Sequence, residues 1–452
     1  TEESPGRRTA AGTRETSDTD GSVADQQRAF RDRQRRFFQA LRDRPLDLEN
    51  DADAALYEPL HEGADDPVVR LQDTIDWSEG ESVQLIAGFR GTGKTTEFSR
   101  LEARLWEADY LVVRVDLDDY LDLHSAVDVA DFLLVLSGAI SDALVDDRLL
   151  GKAPGRYKSF WERVMGLMDR TTLESLGSIS GPVSFSLSFR TDPDVRERVR
   201  ATLNRRLPRL VQEVRNHHQE VLQALREQWG DDSRLVVIVD SLEHLRGPVG
   251  SAEAVHRSLQ DLFFGHARHL QLPSTHMVLS VPAFLALQAD NLAAQFANGA
   301  VQAWSSCMVS DREGERVQAN VDRLVELVER RGDWARLLPD RAAMEQLVLS
   351  SGGYLRDLLN MLVEAIHMAG HGVHPDQASR IEDVVRRSYQ PLYADEIGVL
   401  AKIAAKRDVS GITAAERPYL LRFLDSHLVL CYLDRDFWYD VHPLVRDQVL
   451  GR

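Results

Sequence analysis

The sequence predicts an α/β protein in which a parallel β-sheet is covered by helices on both faces. Two observations predict this fold class. Four short segments are rich in apolar and β-branched residues, as buried strands are: SVQLIAG, YLVVRVDL, RLVVIVD and HMVLSVP. Helical segments separate them along the chain, and parallel strands need such crossovers. With 452 residues, of which 43% are hydrophobic and 28% charged, we expect two or three domains with sizeable cores.

The chain ahead of the sheet is predicted to contain a tail and a helical segment. Residues 1 to about 25 lack large apolar side chains, so we expect them to be disordered. Residues 26–65 begin with the charged helix RAFRDRQRRFFQALRDR. We interpret its arginines as a solvated face, although they could also contact an acidic partner.

Residues 66–310 are predicted to form the α/β core. We expect helices from about Val68 to Ile75, over KTTEFSRLEARLWEA, and from about Ala126 to Leu144. Residues 150–190 look like an insertion into this core. Within it, VSFSLSFR alternates strictly between apolar residues and mostly serine, which predicts a half-exposed strand.

The rest of the chain is predicted to form a helical lid and a small C-terminal domain. Residues 311–390 contain successive amphipathic helical segments. In residues 391–452, short helices precede HLVLCYLDRDFWYDVHPLVRDQVL. Two short strands around an Asp-rich turn, followed by a closing helix, suggest a winged-helix domain.

Composition narrows the classes of function. The net charge of −18 argues against a chain that coats nucleic acid or anionic membrane by bulk attraction. Cys307 and Cys431 are far apart in the sequence and lack nearby metal-ligand partners, which indicates a reducing compartment. No apolar run approaches the roughly 18–20 residues that cross a bilayer, and we see no signal-peptide pattern. We therefore expect a cytoplasmic protein.

A glycine-rich motif predicts a phosphate-binding loop. GFRGTGKT, from Gly88 to Thr95, fits G-x-x-x-x-G-K-[ST] between a predicted strand and a predicted helix. Its glycines let successive main-chain N–H groups face one anion at a helix N-terminus. Lys94 would reach the β- and γ-phosphates, and the Thr95 hydroxyl would hold Mg²⁺. The alternative is a structural glycine turn. The residues predicted to bind nucleotide are Gly88, Phe89, Arg90, Gly91, Thr92, Gly93, Lys94, Thr95 and Thr96.

The strand VVIVD delivers an acid to the same edge of the sheet. Asp240 is predicted to orient Mg²⁺, although such a strand can also be core followed by a helix cap. Ser241 stands where a fast ATPase has a second acid. Glu243 is our candidate general base, but it could instead cap the next segment or pair with Arg246. Asp118 and Asp119, after the neighbouring strand, are weaker substitutes. We expect slow hydrolysis of ATP to ADP and phosphate.

Together these motifs resemble the AAA+/STAND branch of P-loop ATPases, which includes origin-recognition-type initiators and NACHT- and NB-ARC-related signalling NTPases. The resemblance covers roughly Asp66 to Arg452. HMVLSVP is similar to a sensor-1 strand, which implies that Ser280 lies near the γ-phosphate. SGGYLRDLLNML is similar to a lid motif and implies that Arg356 reads the γ-phosphate. YDVHPLVRDQV is similar to a winged-helix motif and implies that His442 clamps the β-phosphate of ADP.

Two departures leave simpler interpretations open. Tyr354 stands where the STAND lid motif has proline, so Arg356 could be an exposed lid arginine. Pro443 stands where an acid usually follows the histidine, so His442 could be a structural core residue.

Three functions remain open from the sequence. The first is an ATP-dependent conformational or assembly switch that associates with itself or with a separate effector protein. The second is a DNA-binding ATPase of initiator or regulator type that uses the winged helix. Residues 392–452 carry eight Lys/Arg against nine Asp/Glu, without the basic footprint of a DNA reader, which favours the switch. The third is a nucleotide-binding scaffold that does not hydrolyse.

Overall fold

The computed structural model describes most of the chain. Its backbone is described at residues 17–61, 66–89, 91–121, 125–146, 148–151, 154–169, 172, 174, 181–245, 252–370, 378–434 and 436–451. Side chains are described over the same ranges except at residues 17–27, 154–159, 182–183, 252, 288–290 and 369–370.

A five-stranded parallel sheet forms the centre of the described chain, with the strand order β2-β3-β4-β1-β5. The strands are β1 (Ser82–Gly88), β2 (Tyr110–Asp116), β3 (Arg234–Asp240), β4 (Thr275–Pro282) and β5 (Ala300–Trp304). The sequence predicted the first four. It missed β5 because AVQAW is short and lies half-buried at the sheet edge, without the β-branched run that marks the inner strands.

Helices cover both faces of this sheet, which confirms the predicted fold class. Alternate residues of β3 enter two separate apolar clusters, with Val237 and Val239 on one face and Val236 and Ile238 on the other. The helices up to β5 are α1 (Ser17–Ala40), α2 (Asp51–Ala54), α3 (Pro67–Trp77), α4 (Lys94–Glu107), α5 (Val129–Ala143), α6 (Pro154–Gly166), α7 (Pro182–Thr191), α8 (Pro193–Asn204), α9 (Leu207–Trp229), α10 (Ala252–Gln260), α11 (Ala267–Leu270) and α12 (Ala289–Ala293).

The prediction of a strand over VSFSLSFR is wrong, because these residues lie in α7. Phe185 and Phe189 are four residues apart and so share one helical face. Both are buried against Trp161, with ring centroids 5.9 and 6.1 Å apart, while Leu187 is 61% exposed. An alternating pattern that also has apolar residues at i and i+4 fits both periods, and here tertiary packing selects the helix.

The N-terminal boundary also needs correction. Helix α1 begins at Ser17, inside the stretch predicted to be disordered, whereas residues 1–16 lie outside the described part. Once a helix is nucleated, each further residue adds one hydrogen bond at little cost, so α1 extends beyond its anchored end. That end packs on the lid, since Phe37 and Leu41 belong to the lid's apolar cluster. Residues 41–60, here called the N-terminal segment, then run back towards the glycine loop.

The lid and the C-terminal domain follow the sheet. The lid contains α13 (Gln318–Arg331), α14 (Arg341–Ser350), α15 (Leu355–Gly370) and α16 (Ala378–Arg386). The C-terminal domain contains α17 (Ala394–Lys406), α18 (Arg417–Asp425), the antiparallel pair β6 (Val429–Leu433) and β7 (Phe437–Val441), and α19 (Pro443–Leu450). The two predicted strands and closing helix are therefore present.

The C-terminal domain is attached to the core. Many of its buried residues, including Leu400, Phe423 and Val445, belong to the same apolar cluster as one face of the sheet. Cys307 and Cys431 are both buried, free thiols. Among the described residues, no helix is long and apolar enough to cross a membrane.

Candidate nucleotide-binding site

The glycine loop has the backbone conformation of an anion cradle. Gly91 and Gly93 have φ values of 79° and 91°, a region that side chains with a Cβ rarely adopt. Helix α4 begins at Lys94, directly after them, so its unpaired N–H groups face the loop. Such a turn at a helix N-terminus favours an anionic ligand. Arg90 lies outside the described residues.

Lys94 belongs to a buried polar network at the base of this loop. Its Nζ lies 2.8 Å from Glu243 Oε1 and donates to the Phe89 carbonyl at 2.5 Å. Ser280 Oγ donates to the other Glu243 oxygen at 2.5 Å. The Lys94 and Glu243 side chains are only 3% and 4% exposed. The sequence-predicted residues Lys94, Glu243 and Ser280 are therefore brought together.

Sheet topology explains how three distant segments meet here. Strand β4 lies between β1 and β3, so Ser280 near its carboxyl end sits between the loop after β1 and the turn after β3. Ser241 has a φ of 74°, which turns the chain sharply at the end of β3. The short 3-10 helix Leu242–His244 then directs Glu243 back to Lys94.

The environment of Glu243 makes it a weak base in this arrangement. Burial alone would raise its pKa, but the Lys94 charge, His244 and the hydrogen bond from Ser280 hold the pKa below its usual value. Glu243 therefore pairs with Lys94. The alternative partner, Arg246, lies outside the described residues. Asp118, proposed as a substitute, instead contacts His244, with 2.7 Å between Oδ2 and Nδ1.

Thr95 and Asp240, the predicted Mg²⁺ ligands, are linked through Arg114. One Arg114 nitrogen, Nη2, contacts both the Thr95 carbonyl at 3.0 Å and Asp240 Oδ2 at 3.4 Å. Asp240 is 1% exposed, and burial together with the nearby Glu243 charge raises its pKa. Arg114 was missed, although a lone arginine inside the apolar strand YLVVRVD could have indicated a buried acid.

These residues fit a magnesium ion that is completed by a nucleotide. Mg²⁺ takes oxygen ligands and commonly uses one or two carboxylates together with substrate phosphates. Thr95, which carries a hydroxyl, is the second residue of α4 at the phosphate loop, and Asp240 supplies a carboxylate at the end of β3. Among the side chains that the structure describes, no group of three or more His, Cys, Asp or Glu residues could hold a metal alone.

Arg356 lies against the glycine loop, and the role that the lid motif implies for it, reading the γ-phosphate, stays a prediction. A Cβ added to Gly91 would be only 2.8 Å from Arg356 Nε and Cζ. The same Nε is 2.5 Å from Asp43 Oδ2, so an acid of the N-terminal segment holds the guanidinium. Asp43 had no motif to indicate it, because its role arises from a contact between residues more than 300 positions apart.

His442 does not lie in the cleft beside the loop, and its predicted clamp role needs correction. It is 0% exposed, and its Nε2 lies 3.2 Å from Asp357 Oδ2 on α15. The other ring nitrogen accepts a hydrogen bond from the Leu444 N–H. His442 therefore caps α19 and joins the C-terminal domain to the lid, which matches its structural interpretation.

A different histidine of the C-terminal domain reaches the loop. His427 stacks on Tyr354, with centroids 4.6 Å apart and planes at 17°, and meets Phe89 edge-on at 5.5 Å. Phe89 belongs to the phosphate loop and Tyr354 to the lid motif. Core, lid and C-terminal domain thus meet at this aromatic cluster, which the sequence did not indicate.

The resulting cleft is bounded by three parts of the chain. The phosphate loop and start of α4 contribute residues 91–97, and the N-terminal segment contributes one wall. The lid contributes the other wall through Leu327, Arg331, Leu355, Arg356 and Leu359. Thr96, predicted to bind nucleotide, also accepts a hydrogen bond from the Leu46 N–H and so anchors the N-terminal segment to α4.

Comparison with known proteins finds similarity among solved structures. No family model matches the chain, and no curated protein matches it. The ORC2 protein of Aeropyrum pernix, solved in ADPNP–ADP complexes, is 13% identical over 87% of this chain and 94% of that chain, with a TM-score of 0.37. The ORC1 protein of Aeropyrum pernix in complex with DNA is 14% identical over 91% and 95%, with a TM-score of 0.32. Cdc6p from Pyrobaculum aerophilum is 14% identical over 88% and 98%, with a TM-score of 0.31.

Proposed function

We propose that the chain binds ATP and ADP with Mg²⁺ in this cleft, hydrolyses ATP slowly, and acts as a nucleotide-dependent conformational or assembly switch. The observation that carries this proposal is the convergence of Lys94, Glu243 and Ser280 at the foot of the glycine loop. Three separate segments supply these side chains, and an ordinary glycine turn would not require them.

Different residues of the cleft are proposed to bind different parts of the nucleotide and its Mg²⁺ ion. The loop N–H groups and Lys94 hold the phosphates, and Thr95 with Asp240 would hold Mg²⁺. When bound, the ion supplies positive charge that stabilises the phosphate oxygens. Arg356, which lies against Gly91, would contact the terminal phosphate.

Slow hydrolysis follows from the pairing of Glu243. A general base must accept a proton from water, but both Glu243 oxygens are occupied by Lys94 and Ser280. Nucleotide binding would draw Lys94 towards phosphate and so release one oxygen. The base therefore becomes available only when Lys94 has moved to phosphate, and the remaining hydrogen bond from Ser280 still occupies its other oxygen, so turnover stays slow.

In the proposed switch, Arg356 pairs either with the Asp43 carboxylate or with the terminal phosphate of the nucleotide. Without a terminal phosphate, Asp43 holds this arginine; ATP offers a stronger anion than one carboxylate. Arg356 would then leave Asp43, which releases the N-terminal segment from the lid. A nucleotide shifts such an equilibrium only by its differential affinity for the two arrangements. ADP lacks the terminal phosphate and should leave the Asp43 pair in place.

We expect Glu243→Gln to lower ATP turnover by about 100-fold or more, the usual contribution of a positioned general base. Affinity for ATP should be kept or increased, because the neutral side chain no longer competes with phosphate for Lys94. Phosphate release and calorimetric titration measure the two effects separately.

Asp118→Asn is the matched control, since Asp118 is the nearest sequence-predicted substitute. Its turnover should stay close to that of the native chain. If Asp118→Asn abolishes turnover while Glu243→Gln does not, the base is misassigned. Near-zero rates in the native chain and in both variants would identify a scaffold that does not hydrolyse.

The pairing of charged side chains in the C-terminal domain favours a protein over DNA as its binding partner. Several of its basic side chains are already paired with acids of the same domain: Arg407 and Arg446 with Asp440, Arg422 with Glu396 and Lys402 with Glu416. Among the described residues of this domain, only Lys406 and Arg417 form no ion pair, whereas a duplex reader needs several cations for DNA phosphates. We therefore propose that this winged-helix-like domain contacts a second copy or an effector protein. Mass photometry with ADP or a non-hydrolysable ATP analogue tests self-association, and duplex binding at low salt would favour the DNA alternative.

A further inference from the structure

Arg331 is a cleft residue to which neither the motifs nor the resemblance gives a role. It is the last residue of α13, and its side chain lines the cleft. Its Nη1 donates to two main-chain carbonyls, Leu56 O in the N-terminal segment and Leu327 O one turn earlier, each at 2.8 Å. These bonds fix the guanidinium between the two walls of the cleft.

Unlike Arg44 and Arg356, Arg331 lacks an acidic partner among the described residues. Among the described side chains no carboxylate forms an ion pair with Arg331, and burial lowers its pKa to about 10. Other arginines of the cleft differ, since Arg44 pairs with Asp53, Arg356 pairs with Asp43, and Arg42 is exposed to solvent. A partly buried, unpaired guanidinium has unused donors and gains from a ligand that supplies acceptors.

The apolar surroundings of Arg331 differ from the polar surroundings of the phosphate loop. The phosphate end of the cleft is marked by the glycine loop and by Arg356 above Gly91. Leu327 and Leu359 of the lid and Leu60 of the N-terminal segment line the same cleft and belong to or pack against the lid's apolar cluster. Sites that bind the organic part of a ligand are usually lined by apolar side chains together with a few fixed polar groups.

We propose that Arg331 reads the base of the bound nucleotide, donating hydrogen bonds to acceptor atoms on the base edge while the leucines contact its faces. This inference rests on the proposed function, since it assigns the nucleoside end of the same cleft. Because arginine only donates, the edge that it contacts must present a ring nitrogen or carbonyl oxygen.

Titration of ATP and of inorganic tripolyphosphate into Arg331→Met tests this assignment. Methionine keeps an unbranched apolar stem but has no donors. We expect ATP affinity to fall by about tenfold or more, the range for hydrogen bonds to a charged group, and tripolyphosphate affinity to stay within about twofold. A phosphate-binding arginine would weaken both ligands equally, and that result, or no change for ATP, would overturn the proposal.

Two further variants separate recognition from stability. Arg336→Met removes one charge from a half-exposed lid arginine paired with Asp333, and should leave both titrations unchanged. Arg331→Lys keeps the charge and a donor for the Leu56 carbonyl, so it decides the outcome if the methionine variant does not fold. ATP affinity reduced in Arg331→Lys, with tripolyphosphate affinity retained, supports base recognition. A native chain that binds neither ligand overturns the proposed function itself, and the inference with it.

Discussion

Replacement of Lys94 by methionine is expected to weaken ATP binding by about 100-fold or more. Among the described residues of the glycine loop, Lys94 is the only buried cation, and charge-assisted bonds to phosphate are about twice as strong as neutral ones. Two such bonds, at about 1.5–3 kcal/mol each, account for the loss. Calorimetric titration of ATP in the presence of Mg²⁺ measures it.

The same substitution should also destabilise the chain, because it leaves Glu243 as a buried acid without its cation. Breaking a buried pair by removing one partner costs about 3–5 kcal/mol. The double variant Lys94→Met/Glu243→Gln removes both charges and should recover most of this stability in urea unfolding, yet still fail to bind ATP. Unchanged ATP affinity in either folded variant would show that nucleotide does not occupy the glycine loop.

Gly353→Ala is expected to lower the free energy of unfolding by about 2–4 kcal/mol, the sum of a left-handed residue with a Cβ and an overpacked contact. A Cβ at this position would lie 1.7 Å from the Cys307 carbonyl oxygen, and φ is 73°. The main chain of the lid motif could not keep its approach to the segment after β5. Arg356, three residues on, would lose its position, so ATP affinity should fall in parallel. Urea unfolding measures the stability change.

Gly80→Ala is the control that separates the backbone strain of a left-handed residue from the steric clash expected at Gly353. Gly80 has a similar φ of 76°, but a Cβ there would meet nothing within 4 Å. The control should therefore lose only about 1–2 kcal/mol through backbone strain. Equal unfolding midpoints for the two variants would contradict the close approach of Gly353 to Cys307.

Sequence patterns predicted the part of the site that parallel strands bring together. One strand ends in the glycine loop, one ends in Asp240 and one ends near Ser280. In a parallel sheet the carboxyl ends of these strands lie at one edge, independently of the conformation of the loops between them. For this reason Lys94, Asp240 and Ser280 could be placed from their motifs. Glu243 followed because one sharp turn separates it from Asp240.

Residues that reach the cleft through contacts between distant segments could not be predicted from a local sequence motif. Asp43, Arg331 and His427 reach the cleft region only because the N-terminal segment, the lid and the C-terminal domain pack around the loop. Their immediate sequence neighbours are ordinary for surface helices and turns. The motif around His442 predicted a phosphate contact, but in the fold its Nδ1 accepts from the first turn of α19 and its Nε2 lies 3.2 Å from Asp357 Oδ2.

The most direct test of the switch is amide hydrogen exchange of residues 41–60 with ADP and with a non-hydrolysable ATP analogue. Both nucleotides are expected to bind in the cleft, so a difference between them would report the terminal phosphate alone. We expect faster exchange with the ATP analogue, because Arg356 leaves Asp43, and no difference in Asp43→Asn, where the pair is absent with either nucleotide. Identical exchange of the native segment with both nucleotides would contradict the proposal that Arg356 leaves the Asp43 carboxylate to bind the terminal phosphate.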